Sequence, residues 1–250
     1  MFLRGWTMVA RKPLDADVQH FDRETFIKDV WDYQPGEHVT ILAPSGEGKT
    51  HLALQLLGDT ARPELPAVIY VLKPRDETID KFSRRFKFLT IRDWPPPRMR
   101  IWQKPPSGYV LWPLETDNPE LDDMRHSAIF RKATRALYRK GHRIIFADET
   151  YSLEKELDQS IELRRVWTKG RSMGTGLWAA SQRPAFISMW AYQAHHLFLA
   201  NDPAPEARKR LSDIGTGIDP AIIVEELNKL EKYHYVYINR DERAMCVVGP

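Results

Sequence analysis

Apolar positions along the chain fall into two alternating kinds of stretch. Short, nearly continuous apolar runs recur at His38–Leu42, Ala67–Leu72, Tyr109–Trp112, Arg143–Ala147, Gly176–Ser181 and Ala194–Ala200. Such runs, bounded by turn residues, predict strands covered on both faces. Between them lie segments predicted as helices: Gly48 to about Gly58, Asp76–Phe86, Pro119–Lys140 and Gln159–Met173. In the longest, Leu121, Met124 and Ala128 lead into Phe130, Ala133 and Leu137 at three- and four-residue spacing. Acidic Glu120, Asp122 and Asp123 at its start and basic Arg135, Arg139 and Lys140 at its end match the helix dipole, and Gly141 stops it. Upstream, Asp22 is placed to cap a short helix carrying Phe26, Ile27, Val30 and Trp31, ended by Gln34-Pro35-Gly36. Downstream, Asp219-Pro220 opens a helix whose buried face is Ile223, Leu227 and Leu230. Tyr233–Ile238 and Arg243–Val248, around Asn239-Arg240-Asp241-Glu242, read as a closing β-hairpin. The alternation predicts an α/β fold: a mostly parallel sheet between helices, with a C-terminal hairpin.

The first of these strands runs into Ala43-Pro44-Ser45-Gly46-Glu47-Gly48-Lys49-Thr50, and a helix follows at once. That is the strand–loop–helix layout of a P-loop. Backbone N–H groups from Ser45, Gly46, Glu47, Gly48 and Lys49 can cradle phosphate oxygens, and the helix N-terminus adds partial positive charge there. Lys49 would reach the β- and γ-phosphates of ATP, and the Thr50 hydroxyl would hold Mg²⁺. Ala43 stands where a glycine is usual, which costs little provided its φ is negative.

Arg143-Ile144-Ile145-Phe146-Ala147-Asp148-Glu149 delivers two carboxylates at the end of an apolar strand. Downstream of a P-loop, Asp148 suits the Mg²⁺ shell, and Glu149 suits the orientation and polarisation of an attacking water. This pair favours hydrolysis over transfer to a small metabolite. Gln182, at the end of the Gly176–Ser181 strand, can contact both a γ-phosphate and that water. His195 and His196 read as a strand-edge feature rather than as metal ligands, because no matching ligand cluster lies nearby in sequence.

Charge sharpens the picture only locally. The chain of 250 residues carries a net charge of +3 and is 42% hydrophobic, so whole-chain charge does not argue for nucleic acid. Residues 81–104 differ: eight basic side chains face a single acidic one, Asp93, with Trp94 and Trp102 interleaved and Pro95-Pro96-Pro97 between them. This segment suits either a nucleic-acid backbone or a solvated or subunit-facing basic surface. One cysteine, Cys246, excludes an internal disulfide. Met1-Phe2-Leu3-Arg4-Gly5-Trp6 lacks an apolar leader core, and no apolar run is long enough to span a bilayer, so the expectation is a cytoplasmic protein.

Three elements together resemble FtsK/HerA-type DNA-pumping ATPases: the Ser45–Thr50 loop, the Asp148-Glu149 pair, and Arg171-Ser172-Met173-Gly174-Thr175-Gly176-Leu177-Trp178-Ala179-Ala180-Ser181-Gln182-Arg183-Pro184. The likeness spans roughly residues 36–240. It implies a P-loop core of the additional-strand, catalytic-glutamate type at 36–250, preceded by an N-terminal arm and helix at 1–35. It also implies ATP hydrolysis stimulated by double-stranded DNA, and a homo-oligomeric ring, usually a hexamer. By that likeness Gln182 is a sensor, and Arg171 is the arginine acting across a subunit boundary, ahead of Arg164, Arg165 and Lys169. Lys73-Pro74-Arg75 departs from the resemblance, since many relatives carry Asp before Pro-Lys-Gly. The lack of added domains suits a packaging or transfer motor of a virus, phage or mobile element. The alternative is a P-loop ATPase that drives assembly or secretion through protein partners.

Overall fold

The computed structural model describes residues 18–98, 104–182, 186–204, 209–210, 214 and 217–250. Arg100, Trp102, Arg183-Pro184 and the arm up to residue 17 lie outside them. In chain order the elements are β1 His20–Phe21, α1 Arg23–Asp29, β2 Val39–Leu42, α2 Lys49–Thr60, β3 Ala67–Tyr70, α3 Glu77–Phe86, β4 Leu89–Ile91 and β5 Gly108–Leu111. Then come α4 Pro119–Lys140, β6 Arg143–Ala147, α5 Ser160–Lys169, β7 Thr175–Ser181, β8 His196–Leu199, α6 Pro220–Lys229, β9 Tyr235–Asn239 and β10 Ala244–Val248.

Among the described residues the strands form one ten-stranded sheet in the order β1-β10-β9-β8-β2-β7-β6-β3-β5-β4. From β8 to β4 every neighbouring pair is parallel; β9 runs antiparallel to both β8 and β10. The central strands are mostly apolar and buried throughout, as a sheet with helices on both faces requires. One placement governs the chemistry: β7 is inserted between the P-loop strand β2 and the carboxylate strand β6. This is the additional-strand arrangement expected from the resemblance, and the α/β class with its C-terminal hairpin is observed.

Local chemistry sets the helix ends. Asp22, Asp76, Asn118 and Asp219 each accept a backbone N–H at a helix start, and Gly141 closes α4 with φ +71°. Two expectations are corrected. The predicted helix Gln159–Met173 ends at Lys169, and a 3₁₀ turn at Arg171–Met173 follows. The break falls at Gly170, where a Cβ would lie 2.3 Å from the Val166 carbonyl and 2.4 Å from that of Thr175. The other correction concerns the first turns of α4. Leu121 and Met124 are exposed, whereas Asp122 and His126 are buried there. Asp122 turns inward because its carboxylate accepts the backbone N–H of Thr116 at 2.6 Å and the Thr116 hydroxyl at 2.9 Å.

Helix α1 packs into the same core as β2. Phe26 is fully buried among Trp31, Phe198 and Tyr237, and Trp31 Nε1 donates to Thr60 Oγ1 of α2 at 2.9 Å. On the strand-entry side, His38 is buried with a fixed set of partners: the Leu177 N–H donates to Nδ1 at 3.0 Å, and Nε2 donates to the Trp167 carbonyl at 2.9 Å. His195 Nδ1 accepts the His38 N–H at 2.9 Å, while His196 bridges Glu37 and Tyr237. The paired histidines therefore serve the sheet itself.

Candidate functional site

The C-terminal ends of parallel strands are where α/β sheets place ligands, and the residues singled out above converge there. β2 hands over to the 43–48 loop, β6 ends at Asp148-Glu149, and β7 ends between them at Ser181-Gln182. Ala43 is fully buried and is not among the residues with positive φ, so its side chain is accommodated without strain. Gly46 and Gly48 do adopt positive φ, +85° and +77°. A Cβ on Gly46 would meet nothing within 4 Å, so the backbone conformation alone explains that glycine. At Gly48 a Cβ would also come within 3.3 Å of the Tyr233 ring. Gly48 caps α2 without a side chain, and the first turn of α2 has no acidic residue. Its leading N–H groups are thus available to an anion.

One side chain bridges from the start of α2 to the end of β6. Thr50 Oγ1 donates to Asp148 Oδ1 at 2.6 Å, spanning the width of β7. Lys49 Nζ donates across the loop to the Pro44 carbonyl at 2.8 Å. Burial holds the Lys49 pKa below the usual range, against the opposing pull of Glu149 and Asp148. Asp148 is buried, and its other oxygen accepts from Lys73 Nζ at 3.2 Å. Burial disfavours the Lys73 ammonium, but Asp148 and Asp76 outweigh it, and its pKa is raised. A cleft of about 590 Å³ opens at the same edge, lined among others by Lys73, Asp122, Glu149, Ser152 and Gln182. Immediately beyond Glu149 the chain makes one turn of π-helix at Ser152–Glu156, a feature that often accompanies functional sites. Glu154 in that turn is buried and takes hydrogen bonds from both the N–H and the hydroxyl of Ser188.

Magnesium suits this donor set. Thr50 offers a hydroxyl oxygen and Asp148 carboxylate oxygens, the hard donors such a divalent cation prefers. Lys49, Thr50, Asp148, Glu149, Gln182 and the 45–48 loop are thus gathered at one end of the sheet.

Arg171 is not with them. It lies before β7, at the other rim, separated from Gln182 by a seven-residue strand, or about 23 Å at strand rise. It is exposed and stands 3.5 Å from Asp241. Arg164, Arg165 and Lys169 are exposed on α5 near the same rim. In the basic segment Arg84 pairs with Asp80, Lys81 with Glu77, and Arg92 donates to the Trp112 carbonyl. Trp94 is buried in the core, so its ring is not offered to a surface partner.

Sequence reasoning missed three contributors. Lys73 is one; its place just beyond an apolar strand, at the ligand edge of the sheet, was the available signal. The other two come from the chain's end. The Tyr233 N–H donates to Glu47 Oε2 at 3.1 Å, and the Tyr235 hydroxyl donates to the Glu47 carbonyl, so the hairpin braces the phosphate loop. Arg23 of α1 ties this together, donating to Tyr233 O, Gly249 O and Gln55 Oε1.

No protein-family model and no curated protein matches the chain. Solved structures do. The genome packaging NTPase B204 of Sulfolobus turreted icosahedral virus 2, in complex with sulfate, superposes with a TM-score of 0.60 at 15% identity, covering 87% of this chain and 98% of that one. The same NTPase in complex with ATP-γS gives 0.57 at 13% identity, covering 87% and 99%. B204, the DNA-packaging ATPase from Sulfolobus turreted icosahedral virus, gives 0.56 at 15% identity, also covering 87% and 99%. At these identities the likeness is one of fold. Among the described residues, no helix is long and apolar enough to cross a membrane. With β7 set between the P-loop strand and the Asp148-Glu149 strand, this chain shares the fold of those packaging NTPases.

Proposed function

We propose that this chain hydrolyses ATP and, as a ring of identical copies, moves double-stranded DNA in packaging or transfer. The observation that carries the hydrolytic part is the Thr50–Asp148 contact of 2.6 Å, made across β7 beside Lys49, Glu149 and Gln182. In this reading the 45–48 backbone and Lys49 bind the phosphates. Thr50 and Asp148 would hold Mg²⁺, which would supply positive charge against the phosphate oxygens. The Glu149 carboxylate accepts a proton from water as the water oxygen bonds to the γ-phosphorus. The bond from that phosphorus to the β-phosphate oxygen breaks, leaving ADP and phosphate. Gln182 orients the water and responds to the γ-phosphate. Water is the acceptor in this reading because the Asp148-Glu149 pair favours hydrolysis over transfer to a small metabolite.

The DNA part has two supports. The fold is shared with a genome packaging NTPase. In addition, the 81–98 segment carries exposed arginines, a sequence-independent match to a phosphate backbone. Arg171 supports the ring: it is exposed, it lies far from its own Lys49, and it would complete the site of a neighbouring copy.

The test is ATPase activity with and without duplex DNA, on material of known solution mass. Stimulation by DNA at a ring-sized mass is expected, and Arg171→Ala should poison wild-type rings when mixed in. Activity that ignores DNA, or mixtures that interpolate by composition, would refute the DNA and ring parts respectively.

A further inference from the structure

Lys73 stands where the resemblance leads one to expect an aspartate, and the fold gives this substitution a specific neighbour. Its ammonium is 3.2 Å from Asp148 Oδ2, while Thr50 takes Oδ1 of the same carboxylate. The partner is buried and lies 75 positions away in the chain, so this is not the solvated surface pair that helical spacing produces. The lysine's backbone is braced: its carbonyl accepts Trp112 Nε1 at 2.8 Å, and Arg92 packs over the Trp112 ring. Its side chain is about half exposed and faces the cleft that holds Glu149 and Gln182. The backbone is fixed, therefore, and the half-exposed ammonium, which also stands 3.5 Å from Asp76, has room to move.

We propose that Lys73 is an internal counter-ion for Asp148 that stands in for part of the divalent cation's charge, so that this chain captures nucleoside triphosphate with reduced dependence on metal. The reasoning is electrostatic. A polyanionic triphosphate over Lys49 meets Asp148 and Glu149, and like charges in a partly buried site repel strongly. An ammonium at hydrogen-bond distance from Asp148 cancels one of those charges before any metal arrives. With a divalent cation held by Thr50 and Asp148, the same ammonium would be free to turn toward the phosphates. The inference rests on the reading that the Lys49 loop binds a triphosphate.

The experiment measures ATP-γS affinity by calorimetry, in Mg²⁺ and in EDTA, for the full chain and its variants. The quantity read is the ratio of Kd in EDTA to Kd in Mg²⁺. Lys73→Met is expected to raise that ratio by about tenfold or more, and Lys73→Arg to keep it near the wild-type value. In an Asp148→Asn background the Lys73→Met effect should vanish, because the charge it answers is gone. A change of less than about threefold in Lys73→Met, or an undiminished effect in the Asp148→Asn background, overturns the proposal. If wild-type chain binds no ATP-γS in either buffer, the triphosphate reading itself fails, and this inference with it. The ratio is insensitive to general loss of folded protein, which shifts both affinities alike.

Discussion

Replacing Arg23 with alanine probes how the two ends of the chain support the phosphate loop. The side chain is 5% exposed. Its three nitrogens donate to Gly249 O at 3.1 Å, Gln55 Oε1 at 3.1 Å and Tyr233 O at 3.0 Å. The guanidinium thereby joins α1, the start of the hairpin and α2. Hydrogen bonds from a charged donor contribute about 1.5–3 kcal/mol each. They are not additive within one side chain, and leaving the three acceptors without their donor costs about 3–5 kcal/mol in all. For a domain of this size each kcal/mol lowers Tm by about 2–4 °C, so Arg23→Ala should melt about 6–20 °C below wild type. Arg23→Lys, which keeps the charge but not the fork, should fall between the two. Gln55→Ala, which removes only the partner on α2, should cost about 1.5–3 kcal/mol, less than Arg23→Ala. Thermal melts followed by circular dichroism measure this. Because Tyr233 and Tyr235 hold Glu47, nucleotide affinity should weaken in the same variant at temperatures where it is folded. A melt within about 2 °C of wild type would show that the three bonds exchange freely with water and would refute the reasoning.

Gly48→Ala places a Cβ at φ +77°, within 3.3 Å of the Tyr233 ring, whereas Gly46→Ala meets only the backbone penalty. Both should lose about 1–2 kcal/mol from left-handed strain, and Gly48→Ala more, with the excess removed by Tyr233→Ala; urea titrations of the four variants decide it. His38, pushed down to about 3 mainly by burial, with the neighbouring His195 charge adding to the effect, is neutral when folded. The unfolded histidine, near 6.5, takes up a proton first as pH falls, so stability is full above that value and declines below it, by at most about 1.4 kcal/mol per pH unit. Denaturant midpoints between pH 6.5 and 5 should fall less steeply in His38→Gln than in wild type; equal slopes would exclude His38 as a source.

What the residues disclosed, and what they withheld, divides by distance along the chain. The strands β2 and β6 and the helix α4 were legible because their signals are local: continuous apolar runs, acidic and basic helix ends, and a terminating Gly141. The phosphate loop and the two carboxylates were legible for the same reason. β1 and β4 were not, since strands of two and three residues carry no period, and β1 exists only through its pairing with β10. Leu121 and Met124 fitted a helical stripe, yet the Thr116 hydrogen bonds turned Asp122 inward instead. The contacts of Lys73 with Asp148, of Tyr233 with Glu47 and of Arg23 with Tyr233 join residues far apart in the chain. Only the order of strands brings them together, and no local pattern encodes that order.

The central claim is that a triphosphate bound by Lys49 is hydrolysed by water activated at Glu149. The direct measurement is Mg²⁺-ATP turnover by wild type and Glu149→Gln, with bound nucleotide determined in the same samples. The account predicts equal ATP binding and a fall in turnover of at least about 10²-fold in Glu149→Gln. Unchanged turnover in Glu149→Gln, or a wild-type chain that binds ATP without cleaving it in the presence of duplex DNA, would contradict it.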